Sequence, residues 1–220
     1  RVGIDGIGGD LQGLTASTVF VTSAAAANNG AGTSFAAGDG VLFNGSISAG
    51  KGQQVSIAGT AGSKAFTVTN AGVTQGADPT AVTVLMRAGD TVRTEGGRIA
   101  IDGRGGDVIV ARVPTGGEFA TPPQATSAVL DTSSGTAAGG TVSVTGRNVL
   151  IDDVYDTPTI DASGAGQAGT IDVRGSNAVA LGAGASLVAD ARSATGNGGT
   201  VRVISGDTLR AYGRLSARGG

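Results

Sequence analysis

The chain has no cysteine, no histidine and no tryptophan, and only 3% of its 220 residues are aromatic. Each absence removes a class of function. Without cysteine there are no disulfides and no thiol redox chemistry. Without histidine, the abundant Ser and Thr lack the base that most often activates a hydroxyl nucleophile. Globular cores lean on Phe, Tyr and Trp for buried area, so this interior must be thin and filled with Val, Ile, Leu and Ala. Neither sign of charge dominates: 15 basic and 17 acidic residues give a net charge of −2. They are scattered, which leaves no basic footprint for nucleic acid. No apolar run approaches the ~20 residues of a membrane span. The chain opens without Met or a signal peptide, so it reads as a mature or excised segment. No Walker loop, HExxH helix, nucleophile elbow or metal-ligand cluster is found.

What is abundant is glycine, at 41 of 220 residues. It follows no every-third-residue rule, which excludes collagen. A hydrophobic content of 40% is too high for a disordered chain. The glycines instead punctuate a repeat. GTVSVTG, GTIDVRG and GTVRVISG begin at Gly140, Gly169 and Gly199, 29 and 30 residues apart. Val142 and Val144, Ile171 and Val173, and Val201 and Val203 alternate with polar residues, the period-2 pattern of a strand with one buried face. Gly146, Gly175 and Gly206 follow, at expected sharp turns where glycine tolerates positive φ. The third copy has one extra residue, Ile204-Ser205 against Thr145 or Arg174, which reads as a β-bulge. Second strands are expected over 148–152, 177–181 and 208–212, and third strands over 159–163, 186–190 and 214–218. In the third strand Ile160, Leu187 and Leu215 align, as do Ala162, Ala189 and Ala217.

Self-similarity at a fixed period is the mark of a solenoid, in which one repeat cannot bury its apolar face alone. Three short strands per ~30 residues describe the coil of a parallel β-helix. The expectation is therefore all-β: one helical segment over 1–220 belonging to a longer chain, with about seven or eight coils. Residues 140–220 form three regular coils and 1–140 irregular ones. At ~4.8 Å per level the tube would be roughly 35–40 Å long.

Before residue 140 the strands expected are 41–49, 54–58, 65–69, 81–87, 98–102 and 107–111. IDGIGGDL at 4–11 is echoed by IDGRGGDV at 101–108, an offset of 97 residues, read either as a super-repeat or as chance in a Gly-rich chain. Two stretches read as long loops: 23–40, poor in branched residues, and 114–140, which carries Pro114, Pro122 and Pro123. Proline cannot donate to a sheet ladder, and solenoid insertions often gather on the binding face.

The closing stretch, NGGTVRVISGDTLRAYGRLSARGG at 197–220, resembles the repeats of filamentous-haemagglutinin-like exoproteins of Gram-negative bacteria. Those repeats carry GNGGTV.V.....T...G.ISARGG, and this chain has the matching residues at 196–201 and 215–220. VLFNGSISAG at 41–50 echoes the same ending without the Arg. The resemblance is specific over 140–220. It implies a right-handed parallel β-helix, export through a dedicated outer-membrane two-partner transporter, and adhesion or biofilm roles on the cell surface or after secretion. The family's N-terminal secretion domain is not recognisable, and no Arg-Gly-Asp triplet occurs; residues 103–107 read GRGGD.

Two motifs have chemical alternatives. Asp152, Asp153, Asp156 and Asp161 with Tyr155 would suit a paired-carboxylate glycosidase. The β-helical polysaccharide lyases and hydrolases also use His, which is absent, so a solvated turn rich in Asp is the favoured reading. GIGGDL and GRGGDV are similar to Ca²⁺-binding β-roll repeats, but those need tandem copies nine residues apart; a tight glycine turn is favoured. No catalytic, cofactor-binding or metal residue is assigned. The expected function is a non-catalytic segment of a secreted adhesin or biofilm-matrix protein. Its expected partners are the transporter during export and a carbohydrate or cell-surface protein. The alternatives are a carbohydrate-active β-helix enzyme and a filament subunit that stacks end to end.

Overall fold

The computed structural model describes residues 2–4, 14–16, 19–21, 26–28, 33–37, 41–43, 46–49, 51–59, 66–69, 72–75, 84–86, 91–103, 105–111, 128–153 and 157–220. All regular elements among them are strands, and no helix among the described residues is long and apolar enough to cross a membrane. The fold is all-β and, with one exception, parallel.

Pairing sorts the strands into three ladders. The first runs Leu14–Ala16, Thr33–Ala37, Gln54–Gly59, Arg98–Asp102, the first half of Thr141–Asp152, the first half of Thr170–Leu181, and Thr200–Ser205. The second runs Val2–Ile4, Val19–Val21, Val41–Phe43, Val84–Met86, Val108–Ala111, the second halves of the same two long strands, and Thr208–Ala211. The third is a seven-stranded sheet of Ala26–Asn28, Ser46–Ala49, Thr91–Thr94, Leu130–Asp131, Ile160–Asp161, Ser186–Val188 and Arg214–Ser216. From residue 91 onward the chain visits the third, first and second ladders in turn. Short segments suffice because strands inside a ladder are paired on both sides, by a counterpart earlier and one later in the chain.

The inward columns are the expected ones. Val55, Ile99, Val142, Ile171 and Val201 stack in register, as do Ile57, Ile101, Val144, Val173 and Val203. In the third ladder Ile47, Val92, Leu130, Ile160, Leu187 and Leu215 form one column. Val142, Val144, Ile171, Val173, Ile160 and Leu187 are fully buried. Each such side chain gains roughly 1.5–3 kcal/mol from leaving water.

Several details differ from the sequence expectation. The corner glycines 146, 175 and 206 are not in the left-handed region; the positive φ values among described residues belong to Gly52, Gly96 and Gly105. The corners need glycine for space. A Cβ on Gly175 would overlap the Ala178 carbonyl, and one on Gly206 the Ser176 carbonyl. The extra residue lies elsewhere too. Gly146 faces Gly175 but Asn148 faces Ala178, so the shift falls between the first and second copies. The second and third copies stay in step throughout, with Gly175 opposite Ser205 and Ala178 opposite Thr208.

The loop expectation over 23–40 is corrected by strands Ala26–Asn28 and Thr33–Ala37. Of 114–140, residues 114–127 lie outside the described residues. The remainder is not a loop outside the ladders: residues 128–134 are buried and include strand Leu130–Asp131. Phe66–Thr69 is a strand, but it forms an antiparallel hairpin with Gly72–Gln75 instead of joining a ladder. Ile4 lies in the second ladder and Ile101 in the first, so the IDG echo is not a structural repeat.

Candidate functional site

The acidic cluster is the first place to look for chemistry. Asp152 ends the long strand Thr141–Asp152, Asp153 follows it, and Asp161 sits in the third ladder. Tyr155 and Asp156 lie outside the described residues. Asp152 Oδ1 accepts the Asp153 N–H at 2.9 Å, and its carboxylate lies where a Cβ on Gly182 would stand. Asp153 is buried, 4% exposed, and Thr159 Oγ1 donates to its Oδ2 at 3.1 Å. Asp161 accepts the Ser163 N–H at 2.8 Å and Arg192 Nη2 at 3.2 Å. Each carboxylate thus has its own donor, and none of these bonds joins two carboxyl groups. Among the described residues no group of three acidic side chains is placed to hold a metal ion.

The second place is the GRGGDV turn. The Gly106 N–H donates to Gly103 O at 2.8 Å, and Gly105 has φ +86°. Gly103 and Gly106 are thus bonded to each other, while Arg104 and the counterpart at 6–11 lie outside the described residues. Asp107 is engaged by side chains of the next copy. Its Oδ1 accepts Arg147 Nε at 3.1 Å and Asn148 Nδ2 at 2.9 Å, and its Oδ2 accepts Arg147 Nη2 at 3.3 Å. Asn177 Nδ2 then donates to Asn148 Oδ1 at 2.8 Å. Asp107, Asn148 and Asn177 form a polar column along the corner between the first and second ladders.

Acid–base pairs recur between successive copies. Arg192 meets Asp161, Arg218 meets Asp190 at 3.1 Å, and Arg202 stands 3.8 Å from Asp172. Burial alone would raise the Asp190 pKa. The Arg218 N–H, the Ser216 hydroxyl and the Arg218 guanidinium outweigh it, and the pKa is lowered. Glu95 is also lowered, first by the hydroxyls of Ser134 and Thr136 and then by Lys51. Arg174 is raised by its two 2.8 Å bonds to Asp172. These pairs join neighbouring levels or neighbouring residues.

One feature went unread in the sequence. On the outer side of the second ladder, a depression of about 250 Å³ is lined by Asp107, Ile109, Asn148, Leu150, Ala178 and Ala180, with Val108 and Val149 at its base. The signal was present in VIV at 108–110 and VLI at 149–151. Three consecutive apolar residues in a strand place apolar side chains on both faces. Comparison of the chain with protein families, with curated proteins and with solved structures finds no match.

Proposed function

We propose that the chain is a segment of a right-handed parallel β-helix that serves as the non-catalytic scaffold of a secreted adhesin or biofilm-matrix protein of a Gram-negative bacterium. One observation carries the reading: from residue 91 onward the chain visits three parallel ladders in a fixed rotation, each copy paired to the last. The exoprotein-like residues at 196–201 and 215–220 fall in the last of those copies. Export would use an outer-membrane partner transporter, and the ligand would be a carbohydrate or a cell-surface protein.

The non-catalytic part is supported by how the carboxylates are engaged. Asp153 is buried against Thr159 and Asp161 is tied to Arg192. Retaining and inverting glycosidases need two carboxyl groups facing a common substrate, roughly 5–9.5 Å apart. The test incubates purified protein with a panel of acidic and neutral polysaccharides, and measures binding to bacterial and host cells in parallel. Binding without reducing ends or unsaturated products is expected. Release of such products, abolished by Asp153→Asn, would establish the enzyme reading instead.

A further inference from the structure

Asn148 and Asn177 bond each other through their side-chain amides and are followed by Val149 and Ala178. Asn197 differs on both counts. It is exposed and is followed by Gly198. Among the described residues nothing bonds its side-chain amide, and the Gly198 N–H has no acceptor. The main chain on either side is committed. The Asn197 N–H donates to Gly166 O at 2.9 Å, and the Asn197 carbonyl accepts the Ala168 N–H at 3.0 Å. Just beyond, Gly199 donates to Ala189 O at 2.9 Å and Thr200 to Gly169 O at 3.0 Å. These bonds dock the third regular copy on the second. A Cβ at position 198 would overlap the Ala217 carbonyl, so packing itself requires a glycine after Asn197.

A backbone nitrogen without a side chain beside it is open to close approach by the preceding asparagine amide, and a five-membered ring closes without a catalyst. We propose that Asn197-Gly198 is a self-modification site, where conversion of asparagine to isoaspartate loosens the third copy from the second. The Gly198 nitrogen attacks Asn197 Cγ and gives up its proton. The Cγ–Nδ2 bond breaks and ammonia leaves. Water then opens the resulting succinimide. Attack at Cγ yields aspartate; attack at the main-chain carbonyl carbon yields isoaspartate. In isoaspartate the main chain runs through Cβ and Cγ and is one carbon longer. The carbonyl that accepted the Ala168 N–H becomes part of a free carboxylate. The lengthening falls immediately before Gly199 and Thr200, whose bonds set the register of the third copy.

The test ages the full chain in mildly alkaline buffer, which favours the attacking amide anion, both folded and in urea. Trypsin then releases peptide 193–202, in which Asn197 is the single asparagine. The folded sample is expected to lose the parent peptide and to gain one that accepts a methyl group from protein isoaspartyl methyltransferase. Asn197→Gln should melt like the parent and lose this product, because its ring closes more slowly. Amide exchange at Gly199 and Thr200 should be faster in the aged parent than in fresh protein, but unchanged in aged Asn197→Gln. Asn197→Asp adds the charge without lengthening the main chain, and its exchange should match that of fresh protein. A peptide 193–202 that stays intact in the folded sample while it converts in urea overturns the proposal. So does conversion that leaves exchange at Gly199 and Thr200 unchanged. None of these outcomes depends on the adhesin reading.

Discussion

The second and third regular copies have nearly the same sequence pattern and the same register, yet they differ in what they bury. In the second copy Ile171, Val173, Val179, Leu181 and Leu187 are at most 1% exposed. Their partners in the third copy are Val201, Val203, Leu209, Ala211 and Leu215. Val201 and Val203 are only partly buried, and Leu209 and Leu215 are 49% and 47% exposed. Pattern decides which way a side chain points. Burial differs because, within these 220 residues, the second copy has a paired copy on each side and the third on one. A strand of these parallel ladders therefore owes its stability to its neighbours more than to itself.

The sharpest way to break the comparison is to place the same charge in both copies. Val173→Asp buries an unpaired carboxylate between two levels and should cost roughly 3–5 kcal/mol. Val203→Asp leaves its carboxylate in reach of water and should cost about 1 kcal/mol. Urea denaturation followed by circular dichroism reads the difference. Equal losses would mean that position 203 is covered in solution. The same contrast at lower amplitude comes from Leu187→Ala, expected to lose about 2–5 kcal/mol as a cavity mutation in a packed core, against Leu215→Ala. The second variant should stay below about 1 kcal/mol, because half of that side chain's area never left water.

The parts legible in the sequence were those repeated often enough to align. The columns through Val142, Val144 and Ile160 were set by period alone, because a misplaced register would turn every apolar residue outward. Strand Leu130–Asp131 was not legible. It is two residues long and is followed by Thr132, Ser133 and Ser134, which read as linker. These three are nonetheless buried. The N–H groups of Thr132 and Ser134 donate to Asp161 O at 2.8 Å and Ser163 O at 2.9 Å in the next level, so polar residues are sheltered by main-chain pairing that composition does not announce. The corner glycines were legible as necessary, but for the wrong reason. Positive φ and close approach leave the same residue in the sequence.

That distinction sharpens into a smaller contrast between two glycines. Gly175→Ala would press a methyl group into the Ala178 carbonyl and should cost about 1–3 kcal/mol. Gly166→Ala meets nothing within 4 Å and has no positive φ. It should be neutral or stabilise by up to about 1 kcal/mol through a less free unfolded chain. Thermal melts of the two variants separate them.

The smallest effect tests what joins the second copy to the third. Asp190 accepts the Arg218 N–H at 2.7 Å, the Ser216 hydroxyl at 2.7 Å and the Arg218 guanidinium at 3.1 Å. Burial opposes its ionisation, but the donors prevail and its folded pKa lies below the ordinary 3.8. A carboxylate depressed on folding contributes stability above its unfolded pKa and loses it as pH falls through the folded value. The contribution is therefore complete at neutral pH and fades below about pH 4. Asp190→Asn keeps the side-chain shape but removes the charge. It should lower stability slightly at pH 7, within the 0–1 kcal/mol of an exposed ion pair, and converge with the parent in acid. The loss should fall on the third copy, seen as faster amide exchange at Ala189 and Ala191, whose N–H groups donate to Ser216 O and Arg218 O. A constant gap between variant and parent from pH 7 to pH 3 would show that Asp190 acts through packing alone. The last copy would then be held by its ladders and not by its charge.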